Sequence, residues 1–224
     1  MKKLYYIVAV LVFSVTSCDD YLNTEPIDKI SVKQYYTDEQ GLISGLAGVY
    51  DVLGSPSLYG NNMYIGYNLC TDEGYFGRTT QANDLQNLAV NNINPTNAEI
   101  TGLWSTCYTG LNRANDLIAN INLPEMDETK RQVILGEALF LRGYYHFLLV
   151  TNFGNIPMKL TPTTNPTDAF SSATPQNEVY AQIIKDMTDA EAKVSTSTEM
   201  GYSSRVSKTV VQGILARVCL QMAG

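Results

Sequence analysis

The sequence predicts an all-α fold in which helical hairpins stack on one another and a long irregular segment interrupts them. Apolar residues after residue 95 recur at spacings of three and four, which is the period of an amphipathic helix. The helical segments also repeat, since Arg142 and Arg217 are about 75 residues apart and Trp104 and Tyr180 have nearly the same spacing. Two helix–turn–helix units of about 34 residues and one inserted loop account for that spacing. The pattern is typical of tetratricopeptide-like repeats.

The first 17 residues have the layout of a signal peptide. Lys2 and Lys3 give a positive start, and the apolar run from residue 4 to residue 15 is shorter than the ~20 residues that cross a bilayer. A branched residue and two small residues then precede Cys18, an order that resembles the bacterial lipobox. We expect Cys18 to be lipidated, the alternative being an ordinary secretory signal followed by an unrelated cysteine. No later segment is expected to span a membrane.

Residues 18–37 are polar and turn-prone, and we expect them to form a lipidated tether. The helical region, residues 38–224, then begins with a capping-box pattern made by Thr37 and Gln40. Glycine and proline at residues 54–56 end this first helix. Its predicted inward face consists of Leu42, Leu46, Val49, Tyr50 and Leu53.

Residues 55–95 lack clear periodicity and are rich in asparagine, glycine and tyrosine. A structureless stretch of this length in a compact domain is usually either functional or poorly ordered. We place Tyr59, Tyr64 and Tyr67 on a short helix within it.

Four longer helices are predicted after this segment. The first covers about 97–122 after a Thr96–Glu99 capping box, and the second runs from about Asp127 to Phe153. The third begins at Thr174 with Pro175 in its first turn, and the fourth begins near Ser207. Their predicted inward residues are Leu103, Tyr108, Leu111 and Ile118; Ile134, Ala138, Leu141, Tyr145 and Leu148; Val179, Ile183, Met187, Ala190 and Val194; and Val211, Ile214, Leu215, Val218 and Met222.

Charge and composition exclude several functions. The formal net charge of −7 argues against nucleic acid as a partner, because phosphates attract basic surfaces. The one histidine, His146, lies inside an apolar helix, where core packing is the expected role. We find no phosphate-binding loop, zinc motif or serine elbow, so no catalytic residue, metal or cofactor is predicted. Cys70, Cys107 and Cys219 are expected to be free thiols, although a Cys70–Cys107 bridge stays open.

Several motifs occur in the order typical of one family. The segment Gly136–Tyr145, which runs into Asn152–Pro157, is the most specific of them. Through these motifs the chain resembles the SusD/RagB family of nutrient-binding outer-membrane lipoproteins from Bacteroidota. The other matching segments are Cys18–Pro26, Trp104–Tyr108, Asn112–Asn115, Val179–Ile183, Arg205–Lys208 and Ile214–Arg217.

The resemblance implies a non-catalytic protein that binds glycans or other nutrients at the cell surface. It also implies an outer-membrane lipid anchor and a SusC-like TonB-dependent transporter as the partner, to which the protein passes oligosaccharides. Members of the family are usually about twice as long. The chain is therefore expected to be an N-terminal fragment that lacks the C-terminal half of the family.

One loop carries the residue types that bind sugars. Tyr75, Phe76 and Arg78 are followed closely by Asn83 and Asp84. Aromatic rings stack on the C–H faces of sugars, while arginine, asparagine and aspartate bond to the hydroxyl groups. The alternative is that Tyr75 and Phe76 only attach the loop to the core.

Two classes of function stay open from the sequence. The first is glycan capture for a transporter, and the second is a repeat scaffold that binds only protein. An exposed aromatic platform in the loop over residues 72–88 would favour the first class.

Overall fold

A computed structural model describes residues 35–77, 84–200 and 204–223. Apart from Tyr35, these residues belong to one compact unit, Tyr36–Gly224. Within the described ranges the chain is helical and has no strand, so the all-α prediction is confirmed. The helices are α1 (Glu39–Asp51), α2 (Asn62–Leu69), α3 (Asp84–Ala89), α4 (Ala98–Asn120), α5 (Glu128–Phe153), α6 (Gln176–Glu191), α7 (Ser197–Met200) and α8 (Lys208–Ala223). Two short 3-10 helices cover Val52–Gly54 and Pro166–Ala169.

The long helices form two consecutive hairpins with α5 at the centre. Helix α5 packs against α4 on one side and α6 on the other, and α6 packs against α8. Arg131 is buried in the turn of the first hairpin and donates to the carbonyl oxygens of Ile121 and Pro124 at 2.5 and 2.9 Å. This arrangement confirms the predicted tetratricopeptide-like repeats.

The predicted apolar stripes lie in the core with few exceptions. Helix α5 supplies the largest buried set because it is covered by α4, α6 and α1. Tyr108 and Ile118 of α4 are partly buried against this core. Met222 was predicted to face inward, and this is wrong, because 47% of its surface is exposed. Helix α8 buries only Val211 and Val218 of its own residues, so its last turn lies beyond the core contact.

Helix starts differ from the sequence predictions by one or two residues. Asp38, rather than Thr37, caps α1 by accepting a hydrogen bond from the Gly41 amide at 2.8 Å. Asn97, rather than Thr96, caps α4, because the Thr96 hydroxyl donates to Asn94 instead.

The start of α6 was predicted at Thr174 and lies two residues later. The backbone of Thr174 pairs with Ile156 in an isolated antiparallel bridge and so stays outside the helix. Pro175 then occupies the cap position, and the side chain of Asn155 accepts a hydrogen bond from the Gln176 amide at 3.0 Å.

The segment 55–95 contains more helix than its composition suggested. Helix α2 carries Tyr64 and Tyr67 as predicted, while Tyr59 lies in the turn before it. Helix α3 is short and buries Leu88.

Helix α5 differs from the expectation that no later segment is apolar over enough residues to cross a membrane. It is the one helix among the described residues that is long and apolar enough to cross a bilayer, by length and composition. However, 83% of its most apolar stretch is buried inside the protein. The composition of α5 therefore matches its position at the centre of the core.

Buried charges on α5 are paired with side chains on other elements. Arg142 makes a bidentate contact with the fully buried carboxylate of Asp186 on α6, at 2.8 and 2.7 Å. Glu137 accepts hydrogen bonds from Arg205 at 2.9 and 2.6 Å and from the Tyr50 hydroxyl at 2.5 Å. These contacts join α5 to α6, to α1 and to the segment before α8.

The asparagine-rich motif of α4 holds the loop that follows α5. Asn115 is buried and donates to the carbonyl oxygens of Lys159 and Thr161 at 3.1 and 3.2 Å. Asn112 accepts a hydrogen bond from the Thr163 amide at 2.8 Å. The inserted loop between the hairpins is thus fixed along α4.

Cys70, Cys107 and Cys219 are free, which confirms the expectation and excludes the Cys70–Cys107 bridge.

Candidate functional site

The loop predicted to bind sugars leaves the end of α2 so close to the helix backbone that only glycine fits at residue 74. A Cβ atom on Gly74 would lie 1.9 Å from the carbonyl oxygen of Asn68. The Thr71 hydroxyl donates to the same oxygen at 2.7 Å, and the Gly74 amide donates to the Thr71 carbonyl at 3.3 Å. The first half of the loop is therefore held against the helix that precedes it.

Tyr75 and Phe76 follow this anchor and differ in exposure. Tyr75 has 86% of its surface exposed, whereas Phe76 is partly buried. An aromatic side chain this exposed gains little from packing in the fold. Phe76 fits the alternative role of attaching the loop, while Tyr75 presents its ring to solvent.

The remaining predicted site residues are placed only in part. Arg78 and Asn83 lie outside the described residues. Asp84 begins α3, and its Oδ2 atom accepts a hydrogen bond from the Ala98 amide at 2.8 Å. The Asp84 carbonyl accepts from the side chain of Asn97 at 2.9 Å. Asp84 therefore has a structural role at the start of α4, and its contact with a ligand stays a prediction.

A cavity of about 710 Å³ lies beside the start of α4, and it was not predicted from the sequence. Its walls come from α2, α3, the first turns of α4 and the end of α5. Trp104 and Phe153 meet there with ring centroids 4.9 Å apart and ring planes at 87°. The sequence placed Trp104 in a helical repeat, but its ring contact with Phe153 joins two residues far apart in the chain.

The described residues bear on the predictions that the chain holds no metal and that His146 packs in the core. No group of three or more potential metal ligands occurs there. His146 is fully buried, and its Nε2 atom accepts a hydrogen bond from the Lys159 amide at 3.4 Å. Burial, followed by the nearby charge of Arg142, lowers the pKa of His146 to about 3. The side chain is therefore neutral at physiological pH, and its packing confirms the predicted core role.

The described residues thus define a helical-repeat protein with an exposed aromatic residue on the loop that follows α2. Residues 20–220 match the SusD-like family described as starch-binding and associating with the outer membrane. The chain belongs to this SusD-like family, which confirms the resemblance seen in its motifs.

Relatives and solved structures agree with this assignment. The chain is 27% identical to SusD-like protein P2 of Formosa agariphila, over 84% of this chain and 37% of the relative. A SusD homolog from Bacteroides thetaiotaomicron superposes with a TM-score of 0.75 at 26% identity, covering 86% of this chain and 38% of the homolog. A laminarin-binding SusD-like protein superposes with a TM-score of 0.73 at 28% identity, covering 84% and 41%. The chain therefore spans about two fifths of the length of these relatives.

Proposed function

We propose that this chain takes part in glycan capture at the outer surface of the cell and performs no catalysis. The single observation that carries the proposal is Tyr75, an aromatic ring with 86% of its surface exposed on an anchored loop of a SusD-like protein. The laminarin-binding relative supports a glycan as the ligand, because it has the same fold at 28% identity.

The chemistry of the loop suits a sugar ring. The face of Tyr75 would stack on the C–H face of a pyranose, as aromatic side chains pack on apolar surfaces. Arg78 and Asn83 would bond to hydroxyl groups, since they supply several donors and one acceptor between them. Asp84 would contribute the carboxylate oxygen that the Ala98 amide does not use. Phe76 would attach the loop rather than contact the ligand.

The family also suggests where the chain acts and with what partner. We propose that Cys18 carries the lipid that anchors the chain in the outer membrane, exposed on the cell surface. A SusC-like TonB-dependent transporter would receive the bound oligosaccharide. Because the relatives are more than twice as long as the matching region, both proposals concern the activity of a whole SusD-like protein.

Binding by the loop from Tyr75 to Asp84 alone should be weak. Ordering flexible backbone around a ligand costs roughly 1–2 kcal/mol for each residue fixed. One aromatic platform and a few hydroxyl contacts offset only part of that cost. We therefore expect dissociation constants in the millimolar range, which correspond to about −4 kcal/mol.

Native gel electrophoresis in gels that contain soluble starch or laminarin tests glycan capture, because immobile polysaccharide detects weak binding. The purified chain should migrate more slowly in at least one polysaccharide gel than in a plain gel. Tyr75→Ala should abolish that retardation. Phe170→Ala is the matched control, because Phe170 is an aromatic residue with 85% of its surface exposed on a different loop.

The alternative function, a repeat scaffold that binds only protein, predicts the opposite result in these gels. A scaffold would co-purify with the transporter but would migrate at the same rate in plain and polysaccharide gels. Equal migration of the unmodified chain in every gel would therefore reject glycan capture by this loop and favour the scaffold.

A further inference from the structure

The cavity between α2, α3, α4 and α5 has the size and character of a small-molecule site. Its volume of about 710 Å³ lies within the range of about 300–1,000 Å³ typical of ligand pockets. Most of its wall is apolar, which distinguishes it from the polar Tyr75 loop. The apolar residues on which the argument depends are Met63, Leu88, Ile100, Leu103, Trp104 and Phe153.

The arrangement of the aromatic rings at the cavity suits the packing of one more ring against them. Trp104 packs edge-to-face on Phe153 at 4.9 Å and lies 4.9 Å from Tyr108 in a tilted arrangement. Aromatic pairs favour offset-stacked and edge-to-face contacts at centroid distances of about 4.5–7 Å. A planar ring that enters the cavity can therefore extend the existing Trp104–Phe153 contact.

Two of the asparagine side chains around the cavity are already bonded, whereas one buried acceptor is not. Asn94 accepts from both the amide and the hydroxyl of Thr96, at 2.9 and 2.6 Å. Asn152 bonds to the Tyr67 hydroxyl, with donor–acceptor distances of 2.7 and 2.9 Å. Glu99 also lines the cavity, and its buried Oε2 atom has no hydrogen-bond partner.

The buried Oε2 atom of Glu99 is a hydrogen-bond acceptor to which no group donates. Burial, followed by repulsion from Asp84, raises the pKa of the Glu99 carboxyl. A buried acceptor without a partner is destabilising, and a donor brought by a ligand removes that cost. The terminal torsion of a glutamate is soft, so rotation can bring either carboxylate oxygen to the cavity.

We propose that this cavity binds a small aromatic molecule that carries one hydrogen-bond donor, of which a phenol is the simplest example. The ring contacts Trp104 and Phe153, and the donor bonds to the carboxylate of Glu99. A free sugar fits this cavity poorly, because hydroxyl groups around its whole edge would find one unpaired acceptor. The proposal is independent of glycan capture by the Tyr75 loop.

The chain reports on this cavity through its own fluorescence, because Trp104 is the only tryptophan. The full chain is titrated with p-cresol, and 4-methylanisole serves as the matched ligand that has a similar ring and no donor. We expect a saturable change in Trp104 emission with p-cresol. Binding should be roughly tenfold to hundredfold tighter than for 4-methylanisole, which is the usual contribution of a hydrogen bond to a charged group. Starch and laminarin oligosaccharides should leave the emission unchanged.

Two variants separate the donor contact from the cavity itself. Glu99→Leu should remove the preference for p-cresol, while Glu99→Gln, which keeps an acceptor, should retain part of it. Gly66→Leu should weaken both ligands, because Gly66 lines the cavity and a Cβ there meets only Leu88, at 3.5 Å. Far-UV circular dichroism confirms that each variant is folded.

The absence of any saturable change with p-cresol in the folded chain would overturn the proposal. Equal affinities for p-cresol and 4-methylanisole would also overturn it, because Glu99 would then make no contact with the donor.

Discussion

At the scale of single residues, helix α5 contains polar side chains that its apolar surroundings tolerate only because each has a specific partner. Arg142 is matched to Asp186, and Glu137 is matched to Arg205 and Tyr50. Burying an ion without a partner is strongly unfavourable, so these pairs specify which helices can pack on α5. His146 differs from these ions, because its imidazole is buried in the neutral form.

The burial of His146 predicts a loss of stability in acid. The imidazole has a pKa near 6.5 when unfolded and about 3 in the fold, so below pH 6.5 the unfolded chain takes up a proton that the folded chain refuses. Its contribution to stability is therefore complete above pH 6.5 and declines as the pH falls towards 3, by about 1.4 kcal/mol for each pH unit. His146→Gln removes this titration.

Urea unfolding at pH 7 and pH 5 measures the effect. The unmodified chain should lose about 2 kcal/mol more than the His146→Gln chain between these two pH values. Equal losses in the two chains would show that His146 is not buried in its neutral form.

The Arg142–Asp186 pair predicts a strong coupling between α5 and α6. Arg142→Met leaves the fully buried Asp186 carboxylate without its cation and should cost about 3–5 kcal/mol of unfolding free energy. Adding Asp186→Asn should recover part of that loss, because the uncompensated charge is then gone. A double-mutant cycle by chemical denaturation measures the coupling, and strictly additive losses would contradict a direct pair.

At the scale of elements, periodicity and breaker residues were sufficient to predict the four long helices. The starts of α4, α5, α6 and α8 and the ends of α4 and α5 agree with the sequence to within about two residues, the usual uncertainty of helix ends. Val194 was predicted to lie on the third helix and is instead three residues past the end of α6. Cap residues were harder to predict, because neighbouring polar residues compete for one position. Thr96 is an acceptable cap by type, yet Asn94 engages its hydroxyl and Asn97 takes its place.

The long segment between α1 and α4 was predicted least well, for a physical reason. Helices α2 and α3 are too short to show a periodic pattern, and short helices are stabilised mainly by tertiary contacts. The cavity at Trp104 was not predicted for a related reason. Its walls are formed by residues as far apart in the chain as 57 and 153, which only tertiary contacts bring together. Tyr75 could be chosen as a candidate from the sequence because residue type and neighbouring residues are local features, whereas a cavity is a property of packing.

Helices α4 and α5 approach so closely at Gly110 that a larger residue is predicted not to fit there. A Cβ atom on Gly110 would lie 2.4–2.7 Å from the ring of Tyr145, which is fully buried. Gly110→Ala should therefore destabilise the chain by about 1–3 kcal/mol, as overpacked cores do.

Gly143 on α5 gives the matched control for this test. A Cβ atom there would meet α6 at ordinary contact distances of 3.4–3.5 Å. Gly143→Ala should be close to neutral or slightly stabilising, because alanine favours helix by about 1 kcal/mol over glycine. Thermal unfolding compares the two variants, and similar melting temperatures would contradict the close helix contact at Gly110.

At the scale of the whole molecule, a lipidated tether, a helical-repeat body and an exposed aromatic loop would together place a glycan-binding surface outside the cell. Cys18 and residues 18–34 of the predicted tether lie outside the described residues, so their roles stay predictions. Tyr36, which was assigned to the tether, is instead buried in the core. The body is established as SusD-like by its sequence match and by its fold. We propose that its loop supplies part of a sugar site, and the matched relatives are more than twice as long as this region.

Lipidation of Cys18 is testable in cells. Cys18→Ala should move the chain from the membrane fraction to the soluble fraction, because the acyl chains supply the membrane affinity. Since one acyl chain gives only marginal binding, stable anchoring requires a multiply acylated cysteine. Cys219→Ala is the matched control, as Cys219 is an exposed free thiol on α8. A Cys18→Ala chain that stayed in the membrane fraction would contradict the anchor.

Calorimetric titration of the purified chain with starch and laminarin oligosaccharides tests the central claim most directly. We expect a millimolar dissociation constant for at least one oligosaccharide, an unchanged value for Phe170→Ala and no measurable heat of binding for Tyr75→Ala. Micromolar affinity that depends on Tyr75 would contradict the expected weakness and would confirm the location of the site. The absence of binding to every oligosaccharide, or equal binding by Tyr75→Ala and the unmodified chain, would contradict glycan capture by this loop.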